Sequence, residues 1–326
     1  MPGPARPPPT LFGAVERAGV LDVVTSGGIV RVSHGNALEV ASVTDLTGFG
    51  PDEAFATNGR YLAGWGGPTR YTILDEKNAV VTRVSGDADE ASSAAWHGDH
   101  LTGSSVSGVV PSFLTISHDG TILSGPTAEG FTPGPFHPLA VFTRSSVVQV
   151  MVAPTSAEVR FAPPGAPSAT FSTSGRVAFV TEWPFDTRSI VWHGFADGGL
   201  GTTPLTIERM NDRGLRTTVA VIALGAARRH SVKLVPSRWG LLVVDLGDVD
   251  DVDTDVTLIL LHEDGRASPP TTFRAGNVFA GTTRLDHDFV FGEIAYGGMV
   301  IAWNPAPPKD PTARWTTQAV LLSCEH

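Results

Sequence analysis

Short apolar runs separated by turn residues make up most of this chain of 326 residues. Residues 113–116 and 121–123 flank His118-Asp119-Gly120, and residues 256–261 lead into Glu263-Asp264-Gly265. Asp-Gly dipeptides favour hairpin turns because glycine tolerates positive φ without steric cost. No segment repeats its apolar residues at the spacing of an amphipathic helix. The pattern therefore predicts an all-β protein of short antiparallel strands.

A glycine-marked motif returns along the chain at an interval of about 40 residues. Its copies are Gly19-Val20-Leu21, Gly59-Arg60-Tyr61-Leu62, Gly98-Asp99-His100-Leu101 and Gly175-Arg176-Val177, and Phe136-His137-Pro138-Leu139 occupies the same place without the glycine. A period of roughly 40 residues with short strands is typical of β-propellers. We place the inner strand of each blade directly after the motif, so the motif joins one blade to the next.

Beyond residue 175 the period is looser, and we place the inner strands near residues 20, 60, 100, 139, 177, 241 and 288. This spacing predicts one propeller domain over residues 10–326 with seven four-stranded blades, and six or eight blades are the alternatives. The last blade lacks a fourth strand, and residues 11–16 have no other partner. We therefore expect the N-terminal strand to close the last blade, which would remove two open sheet edges. Three tandem β-sandwiches are the alternative fold, although each would need about 100 residues.

Two segments show the repeat best, Trp96-His97-Gly98-Asp99-His100-Leu101 and Ile116-Ser117-His118-Asp119-Gly120-Thr121-Ile122-Leu123. They resemble the repeats of bacterial β-propeller proteins, and the resemblance extends over most of the chain. It is a resemblance to an architecture. Propellers of this kind include lectins, lyases, hydrolases and scaffolds, so it transfers no functional residue.

Charge and composition narrow the classes of function. The net charge is −10, and the 23 lysines and arginines are scattered, so we expect no nucleic-acid partner. The chain contains no run of 18 apolar residues, so the sequence predicts no membrane span. Residues 1–9 are rich in proline and lack the apolar region of a signal peptide. We expect them to be a disordered leader, or the remnant of a removed signal on a protein outside the cytoplasm. Cys324 is the only cysteine, so no intrachain disulfide can form.

Propeller geometry gathers the loops of different blades on two faces. With the strands placed as above, the glycine motifs and the Asp-Gly turns share one face, which carries seven of the ten histidines. Four would lie near the axis: His97, His100, His137 and His287. Three would lie at larger radius: His34, His118 and His262.

Acidic and basic side chains join these histidines at the predicted mouth. The candidate catalytic residues are His100, His137, His287, Asp99 and Asp286. The candidate ligand-binding residues are Arg60, His97, Arg176, Arg238 and Asp288. Imidazole, carboxylate and guanidinium groups around one mouth suit a small molecule, a glycan or a peptide. Such residues are also common in solvated loops that bind nothing.

Two candidate cofactors follow from the ligand chemistry. A transition metal could bind the histidines, although His97-Gly98-Asp99-His100 matches no zinc signature and needs two more ligands. Calcium could bind the acidic segment 245–255 through Asp248, Asp250 and Asp253. That segment departs from the EF-hand pattern, and we favour a solvated loop.

No sequence motif of a known enzyme class is present, since G-x-S-x-G, H-E-x-x-H, C-x-x-C and the P-loop are all missing. The leading hypothesis is a ligand-binding propeller module. The first alternative is a hydrolase or lyase that uses histidine and aspartate at the same mouth, and the second is a protein-interaction scaffold.

Overall fold

The computed structural model describes residues 11–17, 20–25, 28–34, 38–44, 55–66, 70–85, 90–107, 110–127, 131–132, 137–175, 177–195, 200–201, 204–225, 227–247, 254–276, 289–294, 298–303 and 318–323. Every regular element in these ranges is a β-strand, which confirms the all-β prediction. In this part of the chain no helix has the length and apolar composition needed to cross a membrane.

The described strands form seven antiparallel sheets, which we number as blades in chain order. Blade 1 contains β1 (Leu11–Arg17), β2 (Val20–Thr25), β3 (Gly28–His34) and β4 (Leu38–Thr44). Blade 2 contains β5 (Phe55–Thr57), β6 (Leu62–Gly66), β7 (Arg70–Leu74) and β8 (Val80–Ser85). Blade 3 contains β9 (Glu90–His97), β10 (His100–Ser107), β11 (Val110–Ser117) and β12 (Ile122–Thr127). Blade 4 contains β13 (His137–Thr143), β14 (Ser146–Ala153), β15 (Ser156–Ala162) and β16 (Ala169–Ser174).

Two of the three sheets in the second half of the chain depart from four strands. Blade 5 contains β17 (Ala178–Glu182), β18 (Ser189–Phe195), β20 (Leu205–Asn211) and β21 (Arg216–Ile222). Blade 6 contains β22 (Ala227–Ser237), β23 (Gly240–Gly247), β24 (Thr254–Leu261) and β25 (Thr271–Gly276), and the short β19 (Leu200–Gly201) pairs with β22. Blade 7 contains β26 (Phe289–Ile294), β27 (Gly298–Trp303) and β28 (Gln318–Ser323). The single propeller is thus confirmed. Among the described strands six blades have four or more strands and blade 7 has three, so six complete blades stand in place of the seven predicted.

The first strand of each blade lies nearest the axis. In blade 6 the short β19 pairs with the edge of β22 opposite β23, and we count β22 as the first strand of this blade. These first strands lie against one another in sequence: β5 against β9, β9 against β13, β13 against β17, β17 against β22, and β26 against β1. Apolar side chains fill the space between neighbouring blades, as in the cluster of Trp183, Val191, Val243 and other residues from blades 5 and 6. The core of this protein therefore lies between the sheets.

The ring closes by packing between blades 1 and 7. β1 pairs with β2, so the prediction that the N-terminal strand completes the last blade is wrong. Leu11, Ala14 and Leu21 of blade 1 instead pack against Val300 and Ala302 of blade 7. Only two residues connect β1 to β2, and a short connection makes hairpin pairing cheaper in chain entropy than pairing with the distant C-terminus.

The predicted inner strand is wrong by one strand in four blades. In blades 1, 2, 3 and 6 the strand predicted to be innermost is the second of its blade, whereas in blades 4, 5 and 7 it is the first. Gly59 and Gly98 have φ of 84° and 57° in hairpins between first and second strands, and Gly175 has φ of 94° just before the first strand of blade 5. The motif marks a tight turn, and tight turns of this kind occur on both faces of the propeller.

The Asp-Gly turns join the third and fourth strands of their blades, and we call every turn in this position an outer turn. Asp119 and Asp264 each accept a hydrogen bond from the backbone amide two residues on, at 3.0 Å. Hydrogen bonds from the Ser117 hydroxyl and from Thr121 lower the pKa of Asp119 to about 2. These carboxylates therefore serve the turns.

Glycines of the outer turns approach the outer strand of the preceding blade. Gly120 lies beside Thr82 and Val84, Gly214 beside Phe171, and Gly265 beside the carbonyl oxygen of Val219. All three glycines have positive φ. These glycines thus combine a turn with a contact between blades.

A buried ionic network links blades 1 and 2. Arg17 and Asp22 are both buried and form an ion pair at 2.6 Å, and Arg31 binds the other oxygen of Asp22 at 2.8 Å. Arg17 also donates to the carbonyl of Asp75 at 2.9 Å and to the Asn78 side chain. Because every charge here has partners, removing one would leave the others buried and uncompensated.

We predict that Leu11→Ala destabilises the protein by about 2–5 kcal/mol, because Leu11 is fully buried in the closing seam. Chemical denaturation measures the change. Leu123→Ala is the matched control, since Leu123 is 48% exposed on an outer strand and its loss should cost under about 0.5 kcal/mol. Equal effects of the two substitutions would contradict the seam.

We also predict that Gly265→Ala is more destabilising than Gly98→Ala. Both glycines have positive φ, so each alanine should cost about 1–2 kcal/mol in backbone strain. A Cβ at Gly98 meets nothing within 4 Å, whereas one at Gly265 would lie 2.5 Å from the Val219 carbonyl oxygen. This clash should add about 1–3 kcal/mol. Thermal melts compare the variants, and similar melting temperatures would disprove the contact between blades.

Candidate functional site

The turns between the first and second strands of five blades surround the axis on one face, and we call them the inner turns. They are residues 58–61, 98–99, 144–145, 183–188 and 238–239, in blades 2 to 6. The outer turns lie on the same face at larger radius. The amide of His118 in an outer turn donates to the carbonyl of Asp99 in an inner turn at 2.9 Å.

Hydrogen bonds join the inner turns of consecutive blades. The side-chain amide of Asn58 donates to the carbonyl of Gly98 at 2.7 Å, which links blades 2 and 3. The imidazole of His97 bonds to the backbone of Ser145 and links blades 3 and 4. The amide of Ser145 donates to the carbonyl of Thr187 at 3.2 Å, and its hydroxyl bonds to the same oxygen. The inner turns of blades 2 to 5 are therefore held in place by one another.

Five of the predicted site residues lie on this face: Arg60, His97, Asp99, His100 and Arg238. Arg60, Asp99, His100 and Arg238 are exposed, whereas His97 is half-buried. His97 contacts the edge of the Phe142 ring at a centroid distance of 5.8 Å. Because His97 bonds to Ser145 and packs on Phe142, its position suits a link between blades better than a ligand contact.

His137 lies at the other end of the propeller. It begins β13, and the inner turn of blade 4 follows Thr143 at the opposite end of that strand. A seven-residue strand spans roughly 20 Å, so His137 cannot share a pocket with His100. The predicted common pocket is wrong for His137, because its motif copy precedes a first strand rather than a second strand.

The remaining predicted site residues lie outside the described residues. They are Arg176, Asp248, Asp250, Asp253, Asp286, His287 and Asp288. Their roles in catalysis, ligand binding and calcium binding stay predictions. His34 lies at the end of β3, and His118 and His262 lie in outer turns of blades 3 and 6, on the predicted face.

Aromatic rings support two of the exposed arginines. The guanidinium of Arg60 lies 5.1 Å from the centre of the Tyr61 ring, and Tyr61 stacks on His118 at 4.9 Å. The guanidinium of Arg238 lies 5.4 Å from the centre of the Trp239 ring. Contacts of this kind restrict a long side chain and present its charge in a defined place.

Metal binding gains no support in this part of the chain. In the described ranges, no three histidine, cysteine, aspartate or glutamate side chains are grouped closely enough to hold an ion. His97 and His100 are cross-strand partners at the turn between β9 and β10, and two ligands do not complete a site. The transition-metal hypothesis stays a prediction.

Sequence reasoning missed two exposed arginines of the inner turns, Arg144 and Arg188. Arg144-Ser145 joins two apolar runs without glycine, so only the runs themselves could have indicated the turn. It also missed His230 and Asp245, whose side chains meet at 2.9 Å. Both are buried between blades 5 and 6, so we assign this pair to the fold.

Comparisons with known proteins identify the fold alone. No family model matches the chain, and no curated protein matches it. KlHsv2 with loop 6CD replaced by a Gly-Ser linker is 13% identical over 96% of this chain and 98% of that chain, with a TM-score of 0.58. A candidate 6-phosphogluconolactonase from Bacteroides uniformis is 12% identical over 97% and 96%, with a TM-score of 0.51. A protein of unknown function from Desulfotomaculum acetoxidans is 12% identical over 86% of each chain, with a TM-score of 0.60.

The link through His97 predicts a pH dependence of stability. Burial and the charge of nearby His100 lower the pKa of His97 from its ordinary value, although its backbone hydrogen bonds oppose the shift. The folded state thus prefers neutral His97. Its contribution to stability is full above the unfolded pKa of about 6.5 and is lost as the pH falls toward the lower folded pKa.

We therefore predict that the melting temperature falls between pH 7.5 and pH 5.5 by less in His97→Gln than in the native protein. Glutamine cannot titrate, so it removes this contribution. His262→Gln is the control, because His262 is exposed in an outer turn. An unchanged pH profile in His97→Gln would refute the role of His97.

Proposed function

We propose that this protein is a ligand-binding propeller and that the inner turns of blades 2 to 6 form its binding face for a small molecule, glycan or peptide. The hydrogen-bonded chain of inner turns carries the proposal. It holds polar side chains from several blades around one axis.

Preorganisation is the first argument. The bonds from Asn58 to Gly98 and from Ser145 to Thr187 fix backbone that would otherwise lose entropy on binding. A site fixed before the ligand arrives retains more of its interaction energy as affinity. Binding groups placed on loops above a rigid scaffold are a common arrangement in proteins.

The chemistry of the exposed groups is the second argument. Arg60, Arg144 and Arg238 supply hydrogen-bond donors, Asp99 supplies acceptors, and His100 supplies either. These side chains are exposed, so the core does not require them. Polar groups that converge on one face without a role in packing are typical of recognition sites.

A ligand-observed NMR screen tests the proposal. The library contains neutral sugars, sugar acids, amino acids and short peptides, and we expect signals from at least one class. The double variant Asp99→Ala and His100→Ala should remove binding while the melting temperature stays nearly unchanged, because both residues are exposed.

His262→Ala with Glu263→Ala is the matched control, since it removes an exposed histidine and an exposed acid from an outer turn of the same face. Binding that survives the inner-turn variant but not the outer-turn variant would refute the proposed site. Chemical conversion of a bound compound in the same samples would favour the hydrolase or lyase alternative. The absence of binding in the whole library would favour a scaffold.

A further inference from the structure

We infer that the ligand of this face is a small multivalent anion, with two or more carboxylate or phosphate groups, held by arginines of the inner turns. The inference rests on the proposed function and names its ligand class. The arginines are Arg60, Arg144, Arg188 and Arg238, in blades 2, 4, 5 and 6.

Arginine is concentrated in these turns beyond what composition explains. The five inner turns contain 16 residues, of which four are arginines. The whole chain has 23 lysines and arginines in 326 residues, so about one basic residue is expected in 16. All four are exposed. Guanidinium groups bind carboxylate and phosphate through paired N–H donors.

Acidic partners do not fully occupy two of these arginines, Arg60 and Arg188. Arg60 pairs with Glu76 at 3.8 Å, and Arg188 pairs with Asp212 at 3.9 Å. Each acid lies in the outer turn of the same blade, so both pairs run outward from the axis. Both distances exceed the length of a hydrogen bond, and exposed ion pairs of this kind contribute little to stability. A ligand carboxylate or phosphate could therefore compete for the guanidinium groups.

Arg144 is the strongest candidate contact. It forms no ion pair with any side chain of the described ranges. The outer turn of its blade, residues 163–168, contains Pro, Gly, Ala and Ser only, so it offers no carboxylate. The hydrogen bonds from Ser145 to Thr187 fix the backbone beside Arg144.

Two aspartates also lie in the inner turns. Asp186 accepts hydrogen bonds from the Ser189 hydroxyl at 2.6 Å and from the Arg188 amide at 3.0 Å, so it serves its own turn. Asp99 is exposed beside His100, where it could accept from ligand hydroxyls. Four arginines and two aspartates leave a charge of +2 on the inner turns of a chain with net charge −10. This local reversal of sign favours anions at the axis.

Isothermal titration of the full chain with citrate and with tripolyphosphate tests the inference and separates carboxylate from phosphate. We expect at least one of them to bind, and added salt should weaken binding because the attraction is electrostatic. Arg144→Gln should weaken binding at least tenfold, since it removes charge-assisted hydrogen bonds to the anion. Arg144→Lys should recover part of the loss, because it restores the charge without the planar fork.

Arg83→Gln is the matched control. It makes the same charge change at an exposed arginine of the outer strand β8, and it should leave affinity unchanged. An equal loss in Arg83→Gln would show general attraction and overturn the inference. Failure of both anions to bind at millimolar concentration would also overturn it. If neutral compounds from the screen still bind and depend on Asp99 and His100, the proposed function stands and only the anion class is wrong.

Discussion

The seam between the first and last blades is the contact on which the rest of this propeller depends. Every core cluster lies between two sheets, so a blade is stable only when both neighbours cover it. Leu11, Leu21 and Val300 fill the one seam that chain connectivity does not bring together. Without that seam, two apolar sheet faces would meet water and the inner turns would lose their common axis.

Closure by packing has a consequence for how stability is distributed. A blade completed by strands from both termini would hold the ring with backbone hydrogen bonds, whereas this ring closes through side chains of β1 and its neighbours. The inner edge of β1 lies beside β26, which protects it from pairing with other chains. The buried pair of Arg17 and Asp22 then fixes blade 1 to blade 2 on the other side. The N-terminal strand therefore takes part in two inter-blade contacts at once.

The repeat period could be predicted from the sequence, but its phase could not. A hairpin between the first and second strands and a connection between blades can each contain a glycine at positive φ, and Gly98 and Gly175 fill these two roles with the same local signal. The face of each predicted residue depends on that difference. His97, Asp99 and His100 lie on the same face as the outer turns, as predicted, because in blade 3 both the motif and the Asp-Gly turn lie one strand later than predicted. His137 does not lie on that face, because blade 4 has the predicted phase. Phase depends on which strand is innermost, and only contacts between blades determine that.

The hydrogen bonds of the Asp-Gly aspartates show that these side chains serve the fold, and this bears on where a ligand would bind. Asp119 and Asp264 accept bonds from their own turns, and the low pKa of Asp119 (about 2) reflects that commitment. Such a carboxylate is held in place by its own turn. The aspartates of these outer turns therefore stabilise the fold, and the glycines that follow them pack against the preceding blade. In the inner turns the backbone and short side chains form the contacts between blades, as from Ser145 to Thr187 and from Asn58 to Gly98, and long side chains such as Arg144 remain exposed. The aspartates of the Asp-Gly turns thus serve structure, as the turn chemistry predicts, while an arginine in a turn without glycine, Arg144, is better placed to contact a ligand.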